Sequence, residues 1–232
     1  FPYTTLFRSH VMPLDDRRAA IVIDDENGNW IVRYVDFESG SFEGFVIPGF
    51  GQILSTTINP ANLAIWLIND EGALCAISHQ VQKAIYVPMP PEAFAPFNVR
   101  FSEGRYYLCG GSSNIWYFVM SEGRWTPVIV PPPRPSAPQR AAGEASADYV
   151  RRMGSALLDY SNNYPPLFGS FSVGTDEYFV GGRGRVFRLR NGRVDDLWID
   201  SGNRLIHGHE ESGKAVICGG DPLTEIFSGT IE

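Results

Sequence analysis

Charge is scarce in this sequence. Only 19% of its 232 residues are Asp, Glu, Lys or Arg, below the roughly 25% usual for a soluble domain. The charge that is present leans acidic, with 26 Asp and Glu against 19 Lys and Arg and a net of −7. A nucleic-acid-binding surface needs a basic footprint, so this balance argues against one. Long apolar runs are missing as well. None approaches the ~18–20 residues that cross a bilayer, so no membrane segment is expected. Cysteine is rare: Cys75, Cys109 and Cys218 cannot all pair with one another. Each lies in an apolar, strand-like run, where a free thiol packs as a small hydrophobe. Buried free thiols suit a reducing compartment, and a cytoplasmic location is the expectation. No Gly-x-Ser-x-Gly elbow, P-loop or paired Cys-x-x-Cys occurs, and no cofactor is expected.

Turn formers and aromatics are abundant. There are 24 glycines, 17 prolines and 13% aromatic residues. That is turn-rich without reaching the ~25–30% Gly and Pro of a disordered chain. A chain of this length can form one all-β domain. Residues 1–9, FPYTTLFRS, resemble a translated sequencing adaptor and are set apart from fold reasoning together with His10. The chain stops just after a strand-like run. A fragment is therefore expected at both ends, with any signal peptide lost from the start.

A repeat organises the remainder. Tyr106-Tyr107-Leu108-Cys109-Gly110-Gly111 leads to Ile115-Trp116-Tyr117-Phe118. Tyr178-Phe179-Val180-Gly181-Gly182 leads to Val186-Phe187-Arg188-Leu189. Ala215-Val216-Ile217-Cys218-Gly219-Gly220 leads to Ile226-Phe227. Two looser copies lie upstream, around Asn69-Asp70-Glu71-Gly72 and Asp24-Asp25-Glu26-Asn27-Gly28. Glycine gives such hairpin turns their positive φ at no steric cost. The steps from Asn69 to Gly110 and from Gly181 to Gly219 are each close to the ~40–50-residue unit of a β-propeller. The expected fold is all-β: a propeller with about five visible units in one domain over residues 11–232. A β-sandwich with coincidental hairpins is the alternative. Trp30, Trp66, Trp116 and Trp198 are candidates for packing between blades. A terminal blade face left open would make the chain prone to aggregate.

One segment breaks the period, an insertion over about 131–168. Its start, Val130-Pro131-Pro132-Pro133-Arg134-Pro135, is extended by its prolines. Residues from about 143 to 160 then read as a helix. Tyr149, Met153, Leu157 and Tyr160 fall on one face, with Arg151 and Arg152 beside them. This stripe either packs back on its own propeller or binds a protein partner, and Tyr149, Arg152, Met153, Leu157 and Tyr160 are the candidate contacts.

Other chemistry is thin. The acidic turn at 24–29 lacks the alternating oxygen ligands and distal Glu of a calcium loop, so it reads as a solvated hairpin turn. His207 and His209 are the only clustered metal-ligand types. At i and i+2 of a strand they share a face and are candidates for a metal only if a third ligand joins them. Arg183, Arg185, Arg188 and Arg190, with Arg193 beyond, form a basic hairpin. They are candidates for an anion or an acidic glycan, or else guard a solvated edge strand.

Gly110, Gly111, Tyr117 and Trp125 resemble a kelch repeat, and Gly181, Gly182 and Phe187 repeat part of it. Over residues 18–232 the chain resembles bacterial propellers with irregular units, kelch-like, quinoprotein-like or photosystem-assembly-factor-like. Such a resemblance implies a propeller and little about function, because propellers host both scaffolds and enzymes. The expected function is a non-catalytic scaffold that binds a protein partner. The alternative is a kelch-type enzyme or binder acting on a glycan.

Overall fold

The computed structural model describes residues 9–25, 27–90, 94–136, 139–199 and 204–220, and the backbone of 225–229. Five small sheets follow one another along the chain. The first holds β1 (Ser9–Pro13), β2 (Arg18–Asp24), β3 (Asn29–Asp36) and β4 (Phe42–Pro48). The second holds β5 (Ile53–Asn59), β6 (Ala64–Asn69), β7 (Leu74–Ser78) and β8 (Lys83–Tyr86). The third holds β9 (Pro96–Ser102), β10 (Arg105–Gly110), β11 (Ile115–Val119) and β12 (Arg124–Ile129). After the helix α1 (Ser146–Asn163) comes a fourth, with β13 (Leu167–Val173), β14 (Asp176–Gly181), β15 (Arg185–Arg190) and β16 (Arg193–Trp198). The fifth has three strands among the described residues, β17 (Leu205–Glu211), β18 (Lys214–Gly219) and β19 (Glu225–Gly229). Strands neighbour one another in chain order within every sheet, so each sheet is a meander. Successive meanders of this size are the blades of a β-propeller. Of the residues set apart at the start, Ser9 and His10 open β1 opposite Ile23 and Val22, and 1–8 lie outside the described residues.

By internal contacts the chain divides into two compact units, and the division passes through the third sheet. In the unit Phe1–Leu108 with Tyr117–Trp125, one core gathers Trp30, Val32 and Tyr34 of β3 with Ile65, Leu67, Cys75 and Ile77 of the second blade. Another stacks Trp66 of β6 on Tyr106 of β10, with ring centroids 3.9 Å apart. In the unit Cys109–Trp116 with Thr126–Glu232, Phe171, Tyr178, Val180 and Val186 of the fourth blade meet Leu205, Ala215 and Ile217 of the fifth. Strand alternation explains each case, since every second residue points into the neighbouring blade.

The first strand of a blade would present an unpaired edge. Between β5 and β9 this edge is closed by hydroxyls. Ser55 Oγ accepts from Val99 N–H at 3.2 Å, and Thr57 Oγ1 accepts from Phe101 N–H at 2.8 Å. Buried backbone donors thus find partners without a continuous ladder.

Asn69, Gly110, Gly181 and Gly219 each end the second strand of their blade. The reason for the paired glycines differs from the sequence expectation. Gly28, Gly72 and Gly192 do have positive φ in their turns, but Gly181 has φ −159. What requires glycine at Gly181 is proximity. A Cβ there would lie 2.2 Å from the Pro166 carbonyl oxygen, and one at Gly219 would lie 2.0 Å from that of Arg204. The backbone crosses close because the next residue donates across the blade, Gly182 N–H to Pro166 O and Gly220 N–H to Arg204 O. In the second blade Asn69 takes this place, Asp70 N–H donates across to Gln52 O in the same way, and the Asn69 side chain adds two bonds. Its Nδ2 donates to Phe50 O and its Oδ1 accepts from Ala73 N–H, both at 2.6 Å.

Two packing expectations need correction. Trp30, Trp66 and Trp116 are buried, whereas Trp198 is 53% exposed on the outer strand β16, where the Arg185 guanidinium lies 4.4 Å over its ring. Cys75 and Cys109 are buried and unpaired, but Cys218 is only half-buried.

Candidate functional site

The insertion is built as the proline and helix pattern implies, shifted by three residues. Gly143 has φ +79, which starts no helix, and Pro165 blocks continuation after Asn163. The Pro-rich stretch, over its described residues, has no regular structure. It is tied to α1 at one point, where Tyr160 Oη donates to Pro132 O at 2.9 Å. At the other end Arg152 bonds both carboxylate oxygens of Glu144 and the Gln139 carbonyl oxygen. That pairing holds the Glu144 carboxyl below its ordinary pKa. Tyr149, Met153, Leu157 and Tyr160 are half-buried, so the predicted stripe is the covered side of α1. Val150 and Leu158 lie outside it, 58% and 56% exposed. No residue of α1 is fully buried.

The basic hairpin is neutralised within its own blade. Antiparallel register sets Arg188 opposite Asp195 and Phe187 opposite Asp196. Arg188 Nε and Nη2 reach Asp195 Oδ2 at 3.1 and 2.8 Å. Arg185 Nη2 reaches Asp196 Oδ2 at 2.6 Å, and Arg190 Nε reaches Asp176 Oδ2 at 2.7 Å. Arg188 holds the Asp195 carboxyl below the usual carboxylate range, whereas burial pushes that of Asp196 up. Arg183 sits apart from this strand, exposed at φ 58 in the turn Gly182–Gly184. An incoming anion would compete with three arginine–aspartate pairs already made, and Arg183 stands outside them.

His207 and His209 share one face of β17, opposite Cys218 and Val216 of β18. Gly208 between them points the other way, against Phe171. The two imidazole centroids are 6.5 Å apart. Among the described residues no group of three or more His, Cys, Asp or Glu is placed to hold a metal ion. The carboxylate of Asp25 in the acidic turn bonds Asn27 and Asn29 backbone N–H groups and Asn29 Nδ2. His79, isolated in the sequence, meets Glu43 at 3.4 Å and stands edge-on to Tyr34, whose hydroxyl burial pushes its pKa upward.

Sequence reasoning missed a cleft of about 550 Å³ in the first unit. Leu54, Met89, Pro90, Phe94, Pro96 and Phe97 line it, and Asp70 and Glu71 stand at its rim. Met89 and Phe94 are packed on the core around Trp66, Leu74 and Tyr106. The rim turn is fixed by a reciprocal pair, Asp70 N–H to Gln52 O at 2.8 Å and Gln52 N–H to Asp70 Oδ1 at 3.0 Å. Three separated segments converge here. The sequence signal was the proline-rich connection at 87–96, which gives no hint of what it faces.

No protein-family profile matches the chain, and no curated protein matches it. Solved structures do match in fold. The β-propeller domain of Myceliophteria thermophila Cps50 (Swd1) superposes with a TM-score of 0.61 at 10% identity over 97% of this chain. The WD40 β-propeller domain of Doa1 gives 0.59 at 11% identity over 94%, and a chain of a nidogen/laminin complex gives 0.57 at 9% over 88%. This chain spans 67%, 64% and 68% of those chains. The shared feature is the β-propeller fold. No helix among the described residues is long and apolar enough to cross a membrane.

Proposed function

We propose that this chain is a non-catalytic propeller module that binds a protein partner through the element inserted after its third blade. One observation carries the reading. α1 is braced at both ends, by Tyr160 on Pro132 and by Arg152 on Glu144, yet it presents Val150 and Leu158 more than half exposed. An ordered helix with apolar residues outside its covered side is what a partner groove takes up. The units are read as kelch-like, on Gly110, Gly111, Tyr117 and Trp125, and the chain as bacterial and cytoplasmic. Three unpaired thiols accord with a reducing compartment. The glycan alternative rests on the arginines of the fourth blade, and Asp176, Asp195 and Asp196 already answer three of them.

The test compares the intact chain with a Val150→Lys, Leu158→Lys double variant as bait. A partner that co-purifies at fixed stoichiometry with the first and is lost from the second supports the reading. Both substitutions are exposed, so thermal stability should change by less than about 0.5 kcal/mol. Retention of every partner by the double variant would overturn the assignment to α1.

A further inference from the structure

We propose that the cleft between Leu54 and Phe97 is a second docking site, which takes a short protein segment carrying an arginine or lysine beside an apolar side chain. The site belongs to the first unit and does not rest on the reading of α1.

The pairing of β5 with β6 slips between Ile53 and Ser55, leaving Leu54 as a bulge. Ile53 and Ser55 are buried, while Leu54 is 37% exposed and lines the cleft. A bulge re-aims a side chain that alternation would have sent elsewhere. The same slip recurs at the start of β13 and of β17, where Phe168 and Ile206 are the bulged residues. An apolar residue at all three of these bulges is not what solvent alone would favour at a partly exposed position. In the first unit this residue has a receptacle beside it.

The floor of the cleft is also rigid. Met89 and Phe94 are anchored on the core beneath them, and Pro90 and Pro96 are buried with φ fixed by their rings. A pre-formed apolar floor spares the entropy of ordering on binding.

Charge at the rim selects the occupant. Asp70 and Glu71 are exposed at the rim. Among the described residues no lysine or arginine pairs with either. Asp70 gives one oxygen to Gln52 and keeps the other as an acceptor. Two carboxylates with no cationic partner among the described residues, beside an apolar floor on a chain of net charge −7, favour a ligand that is cationic and apolar within a few ångströms. An Arg or Lys side chain next to a Leu or Phe has that character, and its charge meets the rim while its neighbour fills the floor.

The experiment titrates the full chain into three fluorescein-labelled heptapeptides, followed by polarisation. The first is Gly-Leu-Arg-Pro-Phe-Arg-Gly; in the second, glutamate replaces both arginines, and in the third, serine replaces the leucine and phenylalanine. The first should bind saturably and more weakly at high salt, and the other two should not. Glu71→Lys should raise its Kd about tenfold or more, and Leu54→Ser should do likewise. The Val150→Lys, Leu158→Lys variant should leave it unchanged. Glu71 is a surface residue, so its variant keeps the test decisive should Leu54→Ser fold poorly. The proposal is overturned by equal binding of all three peptides, by saturable binding of none, or by an affinity indifferent to Glu71→Lys.

Discussion

At the scale of single residues, glycine serves two different needs in this chain, and they predict different costs. Gly192 occupies φ +77 with open space where a Cβ would stand. Alanine there meets only the left-handed backbone penalty, about 1 kcal/mol. Gly181 has an ordinary extended φ, but its Cβ would stand 2.2 Å from a backbone oxygen that cannot rotate away. Gly181→Ala must separate β14 from the start of β13, and a loss of about 3 kcal/mol or more is expected. Chemical denaturation of both variants measures the difference. Equal losses, or a harmless Gly181→Ala, would show that the close approach is not a constraint on the fold. Asn69 stands at the same place in the second blade: the backbone bond is kept there, Asp70 N–H to Gln52 O, and the buried amide adds bonds to Phe50 O and Ala73 N–H.

At the scale of elements, several turns and hairpins are organised by a carboxylate held in its charged form. Asp15 is held down by Arg18, Asp25 by Asn29, Asp36 by the Ser39 backbone N–H, Glu144 by Arg152 and Asp195 by Arg188. Each has a folded pKa below its unfolded value, so each contributes stability above the ordinary carboxylate range and loses it as the pH falls. Asp196 is raised by burial and acts in the opposite sense, one group against five. All five are at the surface, where screening keeps each contribution small. Burial also lowers the pKa of His10, so the thermal midpoint should begin to fall below about pH 6.5 and fall further below about pH 4. A midpoint that held or rose on acidification from about pH 5 to about pH 2.5 would contradict this accounting. The hairpin of β15 and β16 also explains why a run of arginines need not be a binding site. Register places an aspartate opposite Arg188 and another beside Arg185, and edge-strand charge of this kind discourages unwanted pairing.

At the scale of the molecule, the first blade has two unlike faces. Trp30, Val32 and Tyr34 point into the core shared with the second blade. On the other face the register aligns Ile23, Ile31 and Val46, then Val11 and Ile21, then Val35 and Phe42. Val11, Val46 and Phe42 are each more than half exposed. Arg33 stands in the middle of this face, opposite Ile21, with its guanidinium 4.6 Å over the Phe42 ring, and exposed apolar side chains on either side of it favour association. Sedimentation should show concentration-dependent self-association in the micromolar range, reduced by Val46→Lys with no loss of folding. A chain that stays monomeric at high concentration, with or without the substitution, would mean that this face is not sticky.

The sequence by itself determined the blade repeat, because the second strands of the blades are apolar runs and the turns beside them carry glycine, asparagine or aspartate within a few residues. It also determined that a helix interrupts the period, because the stripe at Tyr149, Met153, Leu157 and Tyr160 is a local signal. What the tertiary structure decided are the properties set by partners far along the chain. The need for Gly181 comes from Pro166, the pairing of Arg185, Arg188 and Arg190 from Asp196, Asp195 and Asp176, and the exposure of Trp198 from its place on an outer strand. Which side of α1 is covered was likewise a matter of packing: Tyr149, Met153, Leu157 and Tyr160 are half-buried, while Arg152, Val150 and Leu158 are exposed. The cleft belongs here too. Leu54, Glu71 and Phe97 lie in separate strands and turns, and only a bulge and two packed blades bring them to one place. Local pattern encodes elements, whereas a site is a convergence, and convergence depends on register and packing that no single stretch of sequence contains.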